Sequence, residues 1–210
     1  AQQDGTISRR PITDPGFAAT PYDWVLSGPH FFVANPHMKT PRAVCTEKGH
    51  YDSIDLQTLP DDYLPRTNYR PMTDRAEYLR RTPRVSWLEP GETQGRPVTE
   101  FFRHCHRNYV SIATERTLAP IILPPGCAHI DGAYSVALPR LDAVLQIGAP
   151  MASIVLDFFI KTTGKNHIRD ELALQMPLLE ADARLNGRYL ALNCLTTHYA
   201  PLWEQVYDLD

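Results

Sequence analysis

The sequence has no run of about eighteen apolar residues, so no membrane span is expected. Residues 1–10 lack both an initiator methionine and an apolar stretch, so they are not expected to be a signal peptide, and the expectation is a piece of a longer chain. There is no Cys-x-x-Cys. The four cysteines, Cys45, Cys105, Cys127 and Cys194, are scattered, a pattern that fits reduced thiols in a cytoplasm better than a disulfide framework. There is no Gly-x-Ser-x-Gly elbow and no paired-carboxylate spacing, and nothing singles out one of the eight histidines as a base. Internal repeats and low-complexity tracts are absent. A large net charge is missing too: 21 basic against 24 acidic residues leave −3, which argues against a protein that coats nucleic acid indiscriminately.

What is present fits an ordinary globular chain. The 210 residues are 43% hydrophobic and 21% charged, enough for one domain or two small ones with a real core. The charge is unevenly spread. Residues 66–107 hold nine arginines against five acids, a local +4, while residues 170–210 hold seven acids against two arginines, a local −5. A confined arginine-rich stretch in an acidic chain suits a phosphate-binding face, and equally an exposed arginine-rich helix.

Residues 115–138 organise the rest. The apolar run 118–123 meets Pro124-Pro125-Gly126, and an alternating run continues to Leu138, which reads as a β-hairpin or tight two-strand turn. The first strand lacks polar alternation, so burial on both faces is expected. Before it, residues 1–22 read as a linker or arm, 43–45 and 53–56 as short strands, and 57–73 as a long irregular loop. Residues 74–81 read as a helix capped by Thr73 or Asp74, with Ala76 and Leu79 inward and Pro83 as its stop. Residues 99–111 read as a strand. Residues 141–163 read as helical, broken at Gly148 and Pro150 and closed by Gly164. Residues 166–176 alternate, and 184–196 and 200–207 close the chain as two helices.

Three groups carry candidate chemistry. On strands, His104 and His106 share a face, as do Cys127 and His129, so the two pairs could converge on zinc, although the spacing matches no standard finger or ribbon. Asn35-Pro36-His37-Met38 partly resembles the Asn/Asp-Pro-Pro-aromatic motif of amino-methyltransferases. It lacks the second proline and the aromatic, and the thirty-four residues before it in this sequence are fewer than a methyl-donor domain is expected to need. The stretch from Lys161 to Arg169 presents Lys161, Lys165, Asn166, His167 and Arg169 around Gly164. Lysine and arginine suit phosphates; asparagine and arginine suit base edges.

The ordered set of Thr114-Glu115-Arg116-Thr117, Pro124-Pro125-Gly126, Asp157-Phe158, Gly164 to Ile168 and Met176-Pro177 resembles a known region. It is similar to the C-terminal target-recognition region of large bacterial adenine-N6 DNA methyltransferases. These include type IIG restriction–modification enzymes and related phage-defence methylases. Residues 27–42 and 59–71 look like the segment joining such regions to a catalytic part. The resemblance covers roughly residues 23–180, with a helical tail over 181–210. The catalytic motifs are absent, so the resemblance implies recognition of double-stranded DNA here, with S-adenosylmethionine and any nuclease chemistry in a module elsewhere in the parent.

The expected architecture is α+β: a curved mixed sheet flanked by helices, with a helical C-terminal tail. Expected DNA contacts are Arg103, Arg107, Arg116, Lys161, Lys165, Asn166 and Arg169, with Arg66, Asn68, Tyr69 and Arg70 from the long loop as a second set. The rival from another class is a metal-dependent hydrolase using His104, His106, Cys127 and His129. A third reading is a protein-interaction module docking through the acidic tail.

Overall fold

A computed structural model describes residues 6–11, 16–47, 49–180 and 182–207. Its strands, in chain order, are β1 (Ile7–Arg9), β2 (Val25–Leu26), β3 (Lys39–Pro41), β4 (Tyr51–Ser53), β5 (Tyr69–Pro71), β6 (Arg103–Arg107), β7 (Pro120–Leu123), β8 (Ala128–His129) and β9 (Ala133–Ala137). The helices are α1 (Arg75–Arg81), α2 (Leu141–Met151), α3 (Ile154–Thr163), α4 (Asp170–Ala173), α5 (Ala183–Asn193) and α6 (Ala200–Val206).

The fold is α+β, but the strands do not join into one curved mixed sheet. Among the described residues they form small sheets: β1 with β5, β3 with β4, the parallel pair β2–β8, and the antiparallel β7–β6–β9. The expected hairpin is therefore corrected. β7 and β9 do not pair with each other; both pair with β6, which lies between them. The turn that would have closed the hairpin is diverted. Gly126 adopts φ +91 beside Pro21, where a Cβ would come within 3.1 Å of backbone, and the Ala128 amide then donates to the Trp24 carbonyl at 2.9 Å.

β6 supplies two faces by strand alternation. Cys105 lies opposite Ile121 and Ser135, while His104 lies opposite Ile122 and Val136. On the first face Cys105, Ile121 and Leu123 pack with Trp24, Leu26 and Phe31. On the second, Ile122 packs with Val144 and Leu145 of α2, Leu190 of α5 and Leu202 of α6. Burial on both sides explains why β7 is apolar throughout; all four of its residues are buried.

The helical half keeps close to its local signals. Asp74 caps α1, accepting from the Glu77 amide at 3.0 Å, although Tyr78 rather than Ala76 is the buried residue. α2 runs through Gly148 and Pro150, where a break was expected. Pro150 falls in the last turn, and Gly148 lets Tyr189 of α5 approach so closely that a Cβ would sit 2.6 Å from its ring. The break comes at Ser153, whose side chain caps α3 through the Leu156 amide. Gly164 ends α3 in the left-handed conformation, as a C-cap glycine does. No single described helix is long and apolar enough to cross a membrane; α2 and α3 meet at 69°.

The N-terminal half departs more. Of the linker or arm expected over residues 1–22, residues 1–5 and 12–15 lie outside the described residues, and Ile7–Arg9 form β1, which pairs with β5 inside the expected irregular loop; Ile7 is buried. The short hairpin is displaced to β3 and β4, and the alternating stretch 166–176 contains α4.

Candidate nucleic-acid interface

After β6 the chain continues as Asn108–Val110 and receives the loop beyond Gly164. The Val110 amide donates to the Asn166 carbonyl at 3.0 Å, and the Ile168 amide donates to the Asn108 carbonyl at 2.9 Å. Ile168 is wholly buried, and its carbonyl accepts from His106 Nε2 at 3.2 Å. These three bonds fix the loop while leaving Lys165, Asn166, His167 and Arg169 exposed. The Tyr109 ring meets His167 edge-on at 4.6 Å, and its hydroxyl donates to Asp131 at 3.0 Å. That bond raises the Tyr109 pKa and lowers that of Asp131.

Tyr109 and Asp131 also form one lip of a cleft of about 640 Å³. Arg9, Lys39 and Arg107 bring positive charge to it. Arg9 and Lys39 have no ion-pair partner among the described residues. Arg107 is half-buried and donates through Nε to the Gly28 carbonyl at 3.1 Å and through Nη2 to the Phe31 carbonyl. It has no carboxylate partner either, and burial lowers its pKa.

Beneath the cations runs a polar chain whose direction its partners determine. His30 Nε2 lies 2.9 Å from the Arg66 carbonyl, which can only accept, so Nε2 carries the proton. Nδ1 lies 3.2 Å from the Ser27 carbonyl, but the Ser27 amide donates to it at 3.0 Å, which makes it the acceptor, and it takes the Ser27 hydroxyl at 2.9 Å as well. With its hydrogen committed, Ser27 Oγ accepts from Tyr51 at 3.0 Å, and the Tyr51 oxygen accepts from Asn68 Nδ2 at 3.0 Å. Asn68 Nδ2 also donates to Cys45 Sγ at 3.3 Å.

Several expected contacts lie elsewhere. Arg103 is 2% exposed: Nη2 donates to the Cys127 carbonyl and Nη1 to Ser135 Oγ at 3.3 Å, so it cannot reach a duplex. Arg116 and Lys161 are spent on Asp157, at 3.3 and 3.5 Å, and on carbonyls of Ala152 and Glu115. Asp157 in turn accepts from the Thr117 and Leu118 amides at 2.7 Å each. Burial pushes the Asp157 pKa up, but those amides and the Arg116 charge outweigh it and hold the carboxyl low. Arg66 donates to the Pro41 carbonyl and stacks over Phe17 at 4.4 Å. Arg70 is exposed on β5, while Asn68 and Tyr69 line the cleft.

No family model, curated protein or solved structure matches this chain.

The zinc constellation does not assemble. His104 and His106 face the helices, with His104 Nε2 donating to His106 Nδ1 at 3.1 Å; Cys127 packs in the cluster on the other side of β6. His129 bonds Ser135 at 2.8 Å on that side. No group of three or more His, Cys, Asp or Glu among the described residues could hold a metal ion. Sequence reasoning missed the Ser27–His30 pair, whose signal is the Ser-x-x-His spacing at a helical N-cap. The pair does not read as a nucleophile and base. His30 is wholly buried, its pKa is lowered by desolvation, and the other nitrogen meets a neutral carbonyl, so an imidazolium formed there would lack a carboxylate.

Proposed function

We propose that this chain is a sequence-reading duplex DNA-binding module that positions a catalytic module carried outside these residues. The observation that supports the reading best is the pinned loop. Its backbone bonds to Asn108 and Val110 hold the exposed Lys165, Asn166 and Arg169 in a segment whose His167 packs on Tyr109, a residue that also lines the cleft carrying Arg9, Lys39 and Arg107. Lys165 lies 3.7 Å from the exposed Glu171, a surface pair that a phosphate can displace. A rigid loop with phosphate-type and base-edge-type donors side by side suits positioning and specificity together. In this reading S-adenosylmethionine serves the catalytic module, and the residues here contribute orientation alone.

Anisotropy titrations of the chain against labelled duplexes from a randomised-site pool test it. Lys165→Ala should weaken binding to every duplex alike and flatten the salt dependence, because a phosphate contact releases counterions without regard to sequence. Asn166→Ala and Arg169→Ala should each relax preference at one position, by about 1–3 kcal/mol for a lost bidentate pair, with non-specific binding nearly intact. Wild-type affinity, salt slope and preference in all three variants would overturn the assignment.

A further inference from the structure

The cleft floor has spent its hydrogens. The Ser27 hydroxyl hydrogen goes to His30, the Tyr51 hydrogen to Ser27, and the two Asn68 amide hydrogens to Tyr51 and Cys45. Cys45 acts as the acceptor here because its own hydrogen is directed to the His50 carbonyl at 3.3 Å. What remains toward the cleft is a set of lone pairs, chief among them Asn68 Oδ1, which bonds nothing among the described residues and is not sealed from solvent. A floor of acceptors selects a ligand edge that brings N–H donors. The walls include the rings of Phe32, Tyr69 and Tyr109, which suit a flat heterocycle. The lining carries Arg9 and Lys39, which have no ion-pair partner among the described residues, and the half-buried Arg107. Against them stand two carboxylates, Glu47 and an Asp131 already held by Asn108 and Tyr109, so the balance of charge favours an anion. At about 640 Å³ the space is ample for a small ligand.

We infer that the cleft binds one nucleotide unit whose base carries an exocyclic amino group, with the amino edge on Asn68 and the phosphate among Arg9, Lys39 and Arg107. Adenine, cytosine and guanine carry such a group. Thymine offers a single N–H between two carbonyls, which would face the floor's lone pairs. The unit can come from a free nucleotide or from an unpaired position in a nucleic acid. Only the second source rests on the duplex-binding reading.

The test uses the 210-residue chain with dAMP, dCMP, dTMP and inorganic phosphate by calorimetry. By anisotropy, it uses a fully paired duplex and the same duplex with one unpaired C or one unpaired T. The expected result is at least a tenfold preference for dCMP and dAMP over dTMP, or for the unpaired C over the unpaired T. Tyr51→Phe keeps the ring but frees one Asn68 amide hydrogen, so it should narrow that preference while leaving the melting temperature close to wild type. A general loss of packing would not do this. Preference among free nucleotides with no duplex binding would sustain this inference and sink the duplex reading. Preference confined to the unpaired duplexes would name the polymer as the source. Equal binding of all bases, affinity no better than inorganic phosphate, or a preference unchanged by Tyr51→Phe would overturn it.

Discussion

Acid should unfold this protein well above the range where carboxylates titrate, and His37 is the place to show why. Its ring is fully buried, stacked on Trp24 at 5.3 Å and edge-on to Tyr63 at 5.7 Å, and neither nitrogen has a hydrogen-bond partner. Burial, with the neighbouring charges of His198 and His30, pushes its pKa down to about 3. His106 and His129 are pushed down to about 4, chiefly by burial, and burial lowers His30 and His104 too. The sign comes from linkage. The unfolded imidazole, with a pKa of about 6.5, binds a proton that the folded one refuses, so stability is full above that value and falls as pH drops toward the folded pKa. At pH 5 each such histidine costs about 1.5 × 1.36, or about 2 kcal/mol, and the result hardly depends on the folded value once that lies well below 5. His37, His106 and His129 together remove about 6 kcal/mol, comparable with the whole stability of a typical domain. His30 and His104 act in the same direction.

The perturbation is His37→Phe, which keeps an aromatic ring between Trp24 and Tyr63 and forfeits no hydrogen bond. Urea unfolding monitored by tryptophan fluorescence at pH 7.5 should place the variant within about 1.5 kcal/mol of wild type, as volume-tolerant core swaps are. Between pH 7.5 and pH 5 the variant should lose about 2 kcal/mol less than wild type. The reasoning fails if wild type is equally stable at both pH values, or if the variant loses as much as wild type does.

Asp157→Ala should cost about 3–5 kcal/mol, because it strips the Thr117 and Leu118 amides of their acceptor and leaves Arg116 and Lys161 uncompensated; chemical denaturation at pH 7 measures it, and a loss under about 1 kcal/mol would contradict the role. Asp157 also predicts a second acid-sensitive window: its lowered pKa gives stability present above about 4, lost as pH falls through the folded value, and absent in the variant. Gly148→Ala should destabilise by about 1–3 kcal/mol, since the new methyl overlaps the buried Tyr189 ring, and a melting temperature equal to wild type would show that α2 and α5 can slide apart. Purified protein should hold no zinc and keep its melting temperature in chelator; zinc near stoichiometry, lost together with stability, would revive the His/Cys site.

The elements that could be read from the sequence are those whose causes are local. Asp74 before α1 and Gly164 after α3 act within one turn of their own helices, and both stand where expected. The unbroken apolar character of β7 likewise reports its two-sided burial directly. The partner of β7 is a different matter. Adjacency and a Pro-Pro-Gly turn argue for a hairpin with the next alternating run, whereas β6, which precedes β7 in the chain, holds the position between β7 and β9. The arginines show the same limit more sharply. Arg103 and Arg107 lie four residues apart on one strand face, so no periodicity separates them, yet one is sealed against Cys127 and the other reaches the cleft. Lys161, expected as a DNA contact, had a local signal that the sequence reading passed over: it stands four residues after Asp157, the spacing of a helical ion pair.

The floor of the cleft combines both cases. Ser27 and His30 are three residues apart and announce a cap, but Tyr51, which bonds Ser27, comes from strand β4, and Asn68, which bonds Tyr51, from beside β5; they come together only when those strands have paired with β3 and β1. The side chains alone would leave the direction of the hydrogens open, since serine, tyrosine and histidine can each donate or accept. The Arg66 carbonyl and the Ser27 amide decide it together, the first taking the proton on His30 Nε2 and the second donating to Nδ1, and the Ser27 and Tyr51 hydroxyl hydrogens are then committed in turn. The Asn68 amide group gives both hydrogens to Tyr51 and Cys45 and keeps its oxygen for a ligand. That Ser27 and Tyr51 have no hydrogen left for a ligand is thus settled at the buried end of the chain by two backbone groups, the Arg66 carbonyl and the Ser27 amide, whose positions depend on the fold and not on the side chain that residue 66 carries.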